Sequence, residues 1–437
     1  MTPVTVVGAG FAGCEAAWTL AQNGIPVTLW EMKPQKFSPA HHSPDFAELI
    51  CSNSFKASRL ESAAGLLKAE MERLGSLCVP CAKETAVAAG GALAVDRDRF
   101  SALVTEKIRN HPLITVREGE ITEIPDGNVI IATGPLTSEA LSAAIGELIS
   151  AEYLSFFDAA APIVEASSID MDKVFFAARY GRGDDDYINC PFDKESYEKF
   201  AEELANAESV ELKEFEKRDF KVYEGCMPIE VMARRGADTM RFGPLKPVGL
   251  RDPKTGHRPW AAVQLRRENE AGTLYNIVGF QTNLKFPEQK RVFSMIPGLE
   301  HAAFARYGVM HRNTFMNSPK LLHADFSLRS DPRIFFAGQM TGVEGYMESA
   351  SSGLIAGIAM VRRLRGLSPL ELPETTMLGA LTRYISSSTA EDFQPMGSNM
   401  GILPPLPEKI KGKAERYGAL AARAMQDLEQ TLRDLEA

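Results

Sequence analysis

The beginning of the chain alternates short apolar runs with a glycine-rich turn. Val4–Val7 is a β-branched run that predicts a buried strand, a Gly-x-Gly-x-x-Gly segment follows at 8–13, and residues 14–22 are compatible with a helix. A second apolar run over 27–30 predicts another strand. This order of strand, turn, helix and strand is typical of a parallel β-α-β unit and therefore indicates an α/β fold.

The same strand pattern returns later in the chain. Residues 128–134 and 333–339 each have the pattern of a buried strand closed by a glycine turn. Between them lie an acidic helical stretch and then a region dense in Gly, Pro and Arg. We therefore predict one α/β domain built from residues 1–154 and 326–437, and an inserted α/β domain at 155–325.

Further helices have recognisable signals. Ser58 and Glu61 predict a capping box at the start of a helix whose apolar stripe extends to Leu74. The small residues of 345–360 suit a helix that packs tightly on a sheet. After a Pro-rich bend, the end of the chain has the pattern of an amphipathic helix.

The first glycine turn carries a dinucleotide-binding fingerprint. Gly8 allows the tight turn, Gly10 lets the backbone approach a pyrophosphate, and Gly13 lets the helix pack closely on the strand. The helix N-terminus then stabilises the phosphate charge. Glu31, at the end of the second strand, stands where the fingerprint requires a carboxylate for the ribose hydroxyls. The alternative for Glu31 is a solvated carboxylate at a strand end.

FAD is the favoured dinucleotide, ahead of NAD. The first strand begins at the N-terminus, and two more strand-to-glycine turns occur where FAD-binding proteins pass the cofactor. The helix entered through Gly345 would aim its N-terminal dipole at the flavin pyrimidine ring. The predicted FAD-binding residues in these turns are Gly8, Ala9, Gly10, Phe11, Ala12, Gly13, Glu31, Thr133, Gly134, Gly338 and Gln339.

Composition limits the class of protein. The 437 residues are 45% hydrophobic and 24% charged, which suits large folded domains and excludes a disordered or fibrous chain. Six cysteines in so long a chain do not form a disulfide framework, and no uncharged apolar run approaches the roughly 18 residues of a membrane span. The start has no basic signal-peptide region. We therefore expect a cytoplasmic protein with reduced thiols and no membrane partner.

The net charge of −9, taken over the whole chain, argues against nucleic-acid binding. The distribution of charge changes that conclusion. Residues 231–330 contain 16 Lys and Arg against 7 Asp and Glu, a local charge of +9, so the remainder carries −18. A basic face of this kind is what contact with RNA phosphates requires.

Eight long motifs are spread over most of the chain, among them AELICSNS at 47–54 and EGCMPIE at 224–230. The others lie at 65–71, 91–97, 238–249, 275–282, 306–314 and 336–346. In these motifs the chain resembles the bacterial folate- and FAD-dependent tRNA uracil-5 methyltransferases. Strings of this length do not recur by chance.

The resemblance implies a fold and a reaction. The fold would be a glutathione-reductase-like, FAD-binding Rossmann domain with an inserted substrate domain. A one-carbon unit would pass from 5,10-methylenetetrahydrofolate through reduced FAD to C5 of a uridine, giving 5-methyluridine at position 54 of the tRNA T-loop, with NADPH or NADH as reductant. Some relatives methylate ribosomal RNA instead, and the motifs do not separate these two substrates.

The resemblance also assigns roles to two cysteines. Uracil C5 is a poor nucleophile, so enzymes of this kind add a thiolate to C6, and Cys226 matches the family cysteine with this covalent role. Cys51 matches a cysteine beside the flavin, with an implied role in C5 deprotonation or in managing the flavin adduct. The alternative for each is a structural thiol. We predict no metal site; the spacing of Cys78 and Cys81 suits a redox pair, but a structural interpretation is simpler.

Two aromatic residues are further candidates from the resemblance. His311 matches the histidine that stacks on the folate pterin, and Tyr346 is expected to pack against the flavin ring or the incoming base. Each could instead be a structural residue. Glu344 and Glu348 are interpreted as solvated carboxylates at a helix start, without a catalytic role.

Basic residues of the inserted domain are candidates for RNA contact, or alternatively solvated charges or partners of folate carboxylates. The oligomeric state, monomer or homodimer, stays open. Three alternative functions remain: a flavoprotein that modifies the tRNA wobble uridine, which is a longer chain; a flavin-dependent NAD(P)H thiol oxidoreductase; and a non-enzymatic RNA-binding protein. The candidates for RNA contact are Arg234, Arg235, Lys246, Arg251, Arg266, Arg267, Lys290 and Arg291.

Overall fold

Two apolar cores organise the chain in a computed structural model. The first core draws on residues between 4 and 149 and between 315 and 424, and the second on residues between 164 and 302. The predicted α/β class is confirmed, whereas the domain boundaries at 154/155 and 325/326 stay a prediction. The structure describes residues 3–149, 154–159, 161–181, 184–210, 227–387 and 393–436.

The strands form two large sheets and two small ones within the described residues. Most strands are short apolar runs, as expected for strands buried on both faces. In chain order they are β1 (Val4–Val7), β2 (Val27–Glu31), β3 (Ser54–Ala57), β4 (Ala86–Val87), β5 (Ala92–Val95), β6 (Ile114–Glu118), β7 (Val129–Ile131), β8 (Leu154–Ala159), β9 (Ile163–Glu165), β10 (Phe175–Phe176), β11 (Ile188–Phe192), β12 (Ala261–Arg267), β13 (Leu274–Ile277), β14 (Phe304–Arg306), β15 (Met310–Phe315) and β16 (Ile334–Phe336).

The α-helices of the described residues range from single turns to a 24-residue C-terminal helix. None of them is long and apolar enough to cross a membrane. In chain order they are α1 (Phe11–Gln22), α2 (Ala63–Arg73), α3 (Cys78–Glu84), α4 (Arg97–Arg109), α5 (Glu139–Ile149), α6 (Lys194–Asn206), α7 (Ile229–Arg235), α8 (Thr239–Phe242), α9 (Phe286–Phe293), α10 (Ser318–Leu321), α11 (Tyr346–Leu364), α12 (Met377–Ser387) and α13 (Lys413–Glu436).

The first sheet is parallel and has the order β16-β7-β1-β2-β6. Val6 of the central strand β1 is paired with Leu29 on one side and Ile130 on the other. The last strand, β16, comes from the far end of the chain and pairs with β7, so the two chain ends build one sheet as the repeated pattern predicts. The carboxyl ends of these strands carry the three glycine turns.

Helix α11 packs tightly against helix α1. The sequence predicted that its small residues would pack on the sheet. A Cβ atom on Gly353 would lie 2.0 Å from Ala12 O, so only glycine allows this approach. The tight contact brings the N-terminus of α11 beside the turn that begins α1.

The predicted start of the second helix at Ser58 is wrong. Residues Ser54–Ala57 pair as strand β3 with β5, and α2 begins after them at Ala63. Ser62 is the N-cap, and its Oγ accepts a hydrogen bond from Gly65 N at 3.1 Å.

The second large sheet has the order β10-β11-β12-β13-β9-β14 and is antiparallel throughout. Helices α6, α7 and α9 contribute to the core against it. Strand β8 pairs antiparallel with β15 along the two connections between the cores. The two connections therefore run side by side.

Candidate active site

The turn between β1 and α1 has the geometry of a phosphate-binding loop. Gly8 has φ = +96°, and a Cβ there would lie 2.7 Å from Ala132 O. A Cβ on Gly13 would lie 1.8 Å from Gly8 O, whereas one on Gly10 would face open space. Gly8 and Gly13 therefore keep the turn tight, and Gly10 leaves room for a ligand at the N-terminus of α1.

Glu31 lies at the same edge and is 7% exposed, which excludes the fully solvated alternative. Its Oε2 accepts a hydrogen bond from Ala9 N at 2.7 Å, and its Oε1 accepts one from Lys33 N at 3.0 Å. Each carboxylate oxygen has a second lone pair. Glu31 can therefore order the glycine turn and still accept a hydrogen bond from a ribose hydroxyl.

A cleft runs along this edge of the sheet with about 1090 Å³ of empty space, open solvent included. That space is large enough for a dinucleotide. The glycine turn, the carboxylate of Glu31 and the cleft together fit FAD. The cleft is lined by the sequence candidates Gly8, Ala9, Gly10, Phe11, Ala12, Glu31, Thr133, Gly134, Gly338, Gln339 and Tyr346.

The two later glycine turns are held by side chains. Thr133 Oγ1 lies 2.6 Å from Thr137 Oγ1, at the turn after β7. Gly338 N donates to Ser352 Oγ at 2.6 Å, which connects the turn after β16 to α11. The backbone next to the cleft is therefore fixed independently of a ligand.

Tyr346 joins the cleft to Cys51. Its Oη accepts hydrogen bonds from Cys51 N at 2.8 Å and Ser52 N at 3.3 Å, and lies 3.2 Å from Cys51 Sγ. Its ring packs on Phe11 and Phe55, with centroids 4.9 and 5.9 Å away. Burial and the nearby thiol raise the pKa of Tyr346 well above its usual value, so the phenol keeps its proton.

Two arginines reach the same cysteine. Arg97 Nη2 and Arg306 Nη2 each lie 3.4 Å from Cys51 O. Burial opposes the charge of Arg97, but the ion pair with Glu268 at 2.5 Å holds its pKa above the usual value. Burial and the charge of Arg97 lower the pKa of Arg306. Two guanidinium groups and one carboxylate leave the surroundings of Cys51 positive.

The interpretation of Glu344 and Glu348 as solvated carboxylates is wrong, because they are 7% and 1% exposed. Glu344 accepts a hydrogen bond from Gln339 Nε2 at 2.6 Å. Burial disfavours the charge of Glu348, but Lys56 and Ser398 more than offset that effect, so its pKa is lowered. Both carboxylates therefore connect the start of α11 to neighbouring segments of the chain.

Arg266 does not fit the expectation of a surface contact with phosphate. It is 7% exposed, with Nε bonded to Asn53 Oδ1 at 3.0 Å and Nη2 bonded to Ser52 Oγ at 2.8 Å. Asn53 in turn donates to Arg267 O at 3.0 Å. Strand β12 is thereby tied to the segment that carries Cys51, and the role of Arg266 is to hold that junction.

The other RNA candidates lie at or near the surface. Arg234 Nε donates to Ala205 O at 2.9 Å, and Arg291 forms ion pairs with Glu203 and Glu288. Lys290 is exposed and has no ion pair with any residue in the described ranges. Arg235 and Arg251 are exposed, and Lys246 and Arg267 are partly exposed. Their contact with RNA stays a prediction.

Two central predictions lie beyond what the structure describes. Cys226 falls outside the described residues. His311 lies in β15, paired with Asp158 of β8, but its side chain is also outside the described part. The structure brings together the Gly8–Gly13 turn, Glu31, Cys51 and Tyr346. The positions of Cys226 and of the His311 ring relative to them are not assigned.

Cys78 and Cys81 are fully buried. Burial raises the pKa of Cys78 well above its usual value and that of Cys81 to about 12. Neither is a thiolate near neutral pH, which disfavours a dithiol reductase. No group of three or more His, Cys, Asp and Glu with metal-binding geometry occurs among the residues that the structure describes.

Sequence reasoning did not single out Arg97 and Arg306 as neighbours of Cys51. Both stand at an end of a recognised motif, 91–97 and 306–314. Their place in these motifs was the available sequence signal, but no spacing rule connects residues so far apart along the chain.

Known proteins similar to this chain include three curated relatives called methylenetetrahydrofolate--tRNA-(uracil-5-)-methyltransferase TrmFO. The protein of Enterococcus faecalis is 58% identical over 433 residues, 99% of each chain. That of Heliobacterium modesticaldum is 58% identical over 428 residues, 98% of this chain and 97% of the relative. That of Brevibacillus brevis is 57% identical over 426 residues, with the same coverage.

A solved structure and a family profile agree with these similarities. GidA of Aquifex aeolicus superposes with a TM-score of 0.70 at 15% identity, over 99% of this chain and 76% of that one, which shows the fold. The profile described as glucose inhibited division protein A (GIDA) matches residues 3–368. Because the profile covers most of the chain and the relatives exceed 50% identity over nearly its whole length, the chain belongs to the glucose inhibited division protein A family and, within it, to the TrmFO methyltransferases.

Proposed function

We propose that this chain is a folate- and FAD-dependent methyltransferase that forms 5-methyluridine at position 54 of the tRNA T-loop. The observation that carries the proposal is the 57–58% identity, over nearly the full length, to relatives named methylenetetrahydrofolate--tRNA-(uracil-5-)-methyltransferase. The dependence on FAD and the position of the uridine come from the motif resemblance. The FAD-fitting cleft, which is lined by Tyr346, supports the proposal, because Tyr346 in turn contacts Cys51. The reaction would take place in the cytoplasm, where tRNA and folate meet.

FAD would supply the redox chemistry that reduces the one-carbon unit, which comes from 5,10-methylenetetrahydrofolate, with electrons from NADPH or NADH. The chain's own residues position the cofactor. The turn at Gly8–Gly13 and the N-terminus of α1 would hold the pyrophosphate, and Glu31 would accept hydrogen bonds from the ribose. Tyr346 closes the other end of the cleft and keeps the flavin site next to Cys51.

Cys51 is suited to accept a proton. Two backbone N–H groups already donate to Tyr346 Oη, so the phenolic proton is left to point at Cys51 Sγ. Together with Arg97 and Arg306, this hydrogen bond favours negative charge on the sulfur. We assign to Cys51 the removal of the C5 proton after the carbon has been attached.

Cys226 would act on the base. Its thiolate would add to C6 of the uracil, which makes C5 nucleophilic, and would leave when the C5 proton is removed. The unstacked uridine must reach it from the inserted domain, 155–325, which we propose as the RNA-binding domain because the window 231–330, which lies almost entirely within it, carries a charge of +9. His311 would stack on the pterin in the same domain.

The decisive experiment is a reconstituted reaction. FAD-loaded protein, labelled methylenetetrahydrofolate, NADPH and unmodified tRNA are combined, and nucleoside mass spectrometry locates the label. Label in 5-methyluridine at position 54 is expected; no label in any RNA would refute the function. Label in ribosomal RNA but not in tRNA would change the assigned substrate to ribosomal RNA and leave the proposed reaction unchanged.

The cysteine roles are tested in the same assay. Cys226→Ala and Cys51→Ala should abolish methylation while FAD stays bound. Cys190→Ala is the matched control, since Cys190 is a fully buried thiol in strand β11. Full activity in Cys226→Ala, or equal loss in Cys190→Ala, would contradict the covalent role.

A further inference from the structure

Three aromatic rings of the inserted domain form a column. Phe286 and Tyr307 have centroids 4.8 Å apart and an interplanar angle of 14°, and Tyr307 and Phe304 have centroids 5.0 Å apart at the same angle. Phe304 packs on the second core, whereas Phe286, at the other end, is 50% exposed. Tyr307 stacks on Phe286, and half of the Phe286 side chain stays exposed, which leaves room for a further flat ring.

The column is held in place before any ligand arrives. Gln289 is fully buried and exchanges two hydrogen bonds with Gly308, each of 2.8 Å: its Nε2 donates to Gly308 O, and Gly308 N donates to its Oε1. Gln289 lies on α9 with Phe286, and Gly308 follows Tyr307. This pair of hydrogen bonds fixes Phe286 and Tyr307 relative to one another, so a ligand would not have to order them.

We propose that Phe286, Tyr307 and Phe304 form a stacking platform for one unpaired nucleobase of the RNA substrate. The inference rests on the proposed function and adds a base-binding site to it. Single-stranded nucleic acid is bound by exposed aromatic rings flanked by cations, because the ring stacks on a base while the cations meet the phosphates.

The charge around the platform selects this ligand. Lys290 lies one helical turn after Phe286 and is exposed, and residues 282–312 contain five Lys and Arg against two acidic residues. One open ring among charged side chains is too small an apolar area for a protein interface. A base with its phosphate fits both the ring and the cation.

The platform is also close to the reaction centre along the chain. Arg306 stands between Phe304 and Tyr307, and its Nη2 lies 3.4 Å from Cys51 O. A base held on the platform therefore belongs to the nucleotides near the target uridine, and the stack would help to keep the loop open once the uridine has left it.

The test compares RNA binding by Phe286→Leu and Phe286→Trp in the full-length, FAD-loaded protein. Leu keeps apolar volume but removes the π face, so we expect a T-loop stem-loop RNA to bind at least about 5-fold more weakly, the lower range for losing one base–aromatic stack. Trp should restore binding, and its fluorescence should be quenched by the RNA. Phe176→Leu is the matched control, because Phe176 is 46% exposed on β10, the opposite edge of the same sheet from β14.

A stem-loop series with single abasic loop positions identifies the base. One abasic position should weaken binding to the wild-type protein and have no further effect on Phe286→Leu. Binding of Phe286→Leu within 2-fold of wild type, or equal loss in Phe176→Leu, would overturn the proposal. A raised KM for NADPH in Phe286→Leu, without a change in RNA binding, would also overturn it, because the ring would then bind the nicotinamide cofactor. Failure of the wild-type protein to methylate any RNA would refute the proposed function, and is read from the methylation assay alone.

Discussion

Replacing Tyr346 with Phe removes one oxygen atom from the contact between α11 and the segment that carries Cys51. Tyr346 Oη accepts backbone hydrogen bonds from Cys51 at 2.8 Å and from Ser52 at 3.3 Å. Without the oxygen, these N–H groups lose their acceptor in a partly buried place, which we expect to cost about 1–3 kcal/mol of unfolding free energy. The ring contacts with Phe11 and Phe55 remain, so FAD should stay bound.

The same change should alter the chemistry of the Cys51 thiol. Because Cys51 N and Ser52 N already donate to Tyr346 Oη, we assign the phenolic proton to the 3.2 Å contact with Cys51 Sγ, and a hydrogen bond to a charged group is worth about 1.5 kcal/mol or more. Because about 1.4 kcal/mol corresponds to a factor of ten, Tyr346→Phe should slow alkylation of Cys51 by iodoacetamide about tenfold and lower kcat by a similar factor. Peptide mass spectrometry of alkylated protein, timed at neutral pH, measures the first effect.

Tyr384→Phe is the matched control. Tyr384 Oη donates to Gln394 O at 2.8 Å, away from Cys51, so its loss should cost about 1 kcal/mol of stability and leave alkylation and kcat unchanged. Alkylation of Cys51 at the wild-type rate in Tyr346→Phe would refute the direction assigned to the hydrogen bond. An equal fall of kcat in both variants would show that the effect is general destabilisation.

Three further predictions address the cofactor turn, stability and the RNA surface. Gly13→Ala should give protein without bound flavin absorbance, because the new Cβ would lie 1.8 Å from Gly8 O; normal flavin content would contradict the turn geometry. Burial raises the pKa of Glu70 to about 7 from its ordinary 4.5, so the unfolded chain loses this proton first and stability should fall by up to about 3 kcal/mol between pH 4.5 and 7. In urea unfolding Glu70→Gln should lack that part of the fall, and an identical pH profile would refute the shift. Arg251→Ala should reduce the slope of log Kd against log salt by about 0.9, whereas Arg266→Ala should lower stability and leave the slope unchanged; the reverse result would put Arg266 on the RNA.

The parallel sheet and the glycine turn were open to prediction because their causes are local. A strand buried on both faces needs a continuous apolar run, and 129–131 supplies one in sequence alone. The turn at Gly8–Gly13 is likewise specified by residue types at fixed spacing, since only glycine fits where a Cβ would meet backbone atoms. The repeat of the same pattern predicted that 128–134 and 333–339 belong to one α/β unit, and the structure adds that β16 pairs directly with β7.

The wrong predictions occur where contacts with distant parts of the chain determine the structure or the exposure of a residue. Ser58 and Glu61 satisfy the spacing of a capping box, but pairing of β3 with β5 holds the preceding residues extended, and Ser62 caps the helix instead. Glu348 has the position of an exposed first-turn carboxylate, yet Ser398 and Lys56 cover it. In these cases local pattern gives the chemistry available at a residue, and tertiary contacts give its exposure.

The segment Cys51–Asn53 shows how strongly tertiary contacts determine the candidate site. Its backbone at Cys51 is bonded to Tyr346, 295 residues away, and Asn53 is bonded to Arg266 on strand β12, 213 residues away. The thiol is therefore placed by the parallel-sheet domain and by the antiparallel sheet together. A shift between the two would move Cys51 relative to the cleft, so the position of the thiol depends on how the antiparallel sheet packs against this segment. We therefore expect the proposed role of Cys51 to require both cores to be folded and packed against each other, which no motif within 47–54 could have indicated.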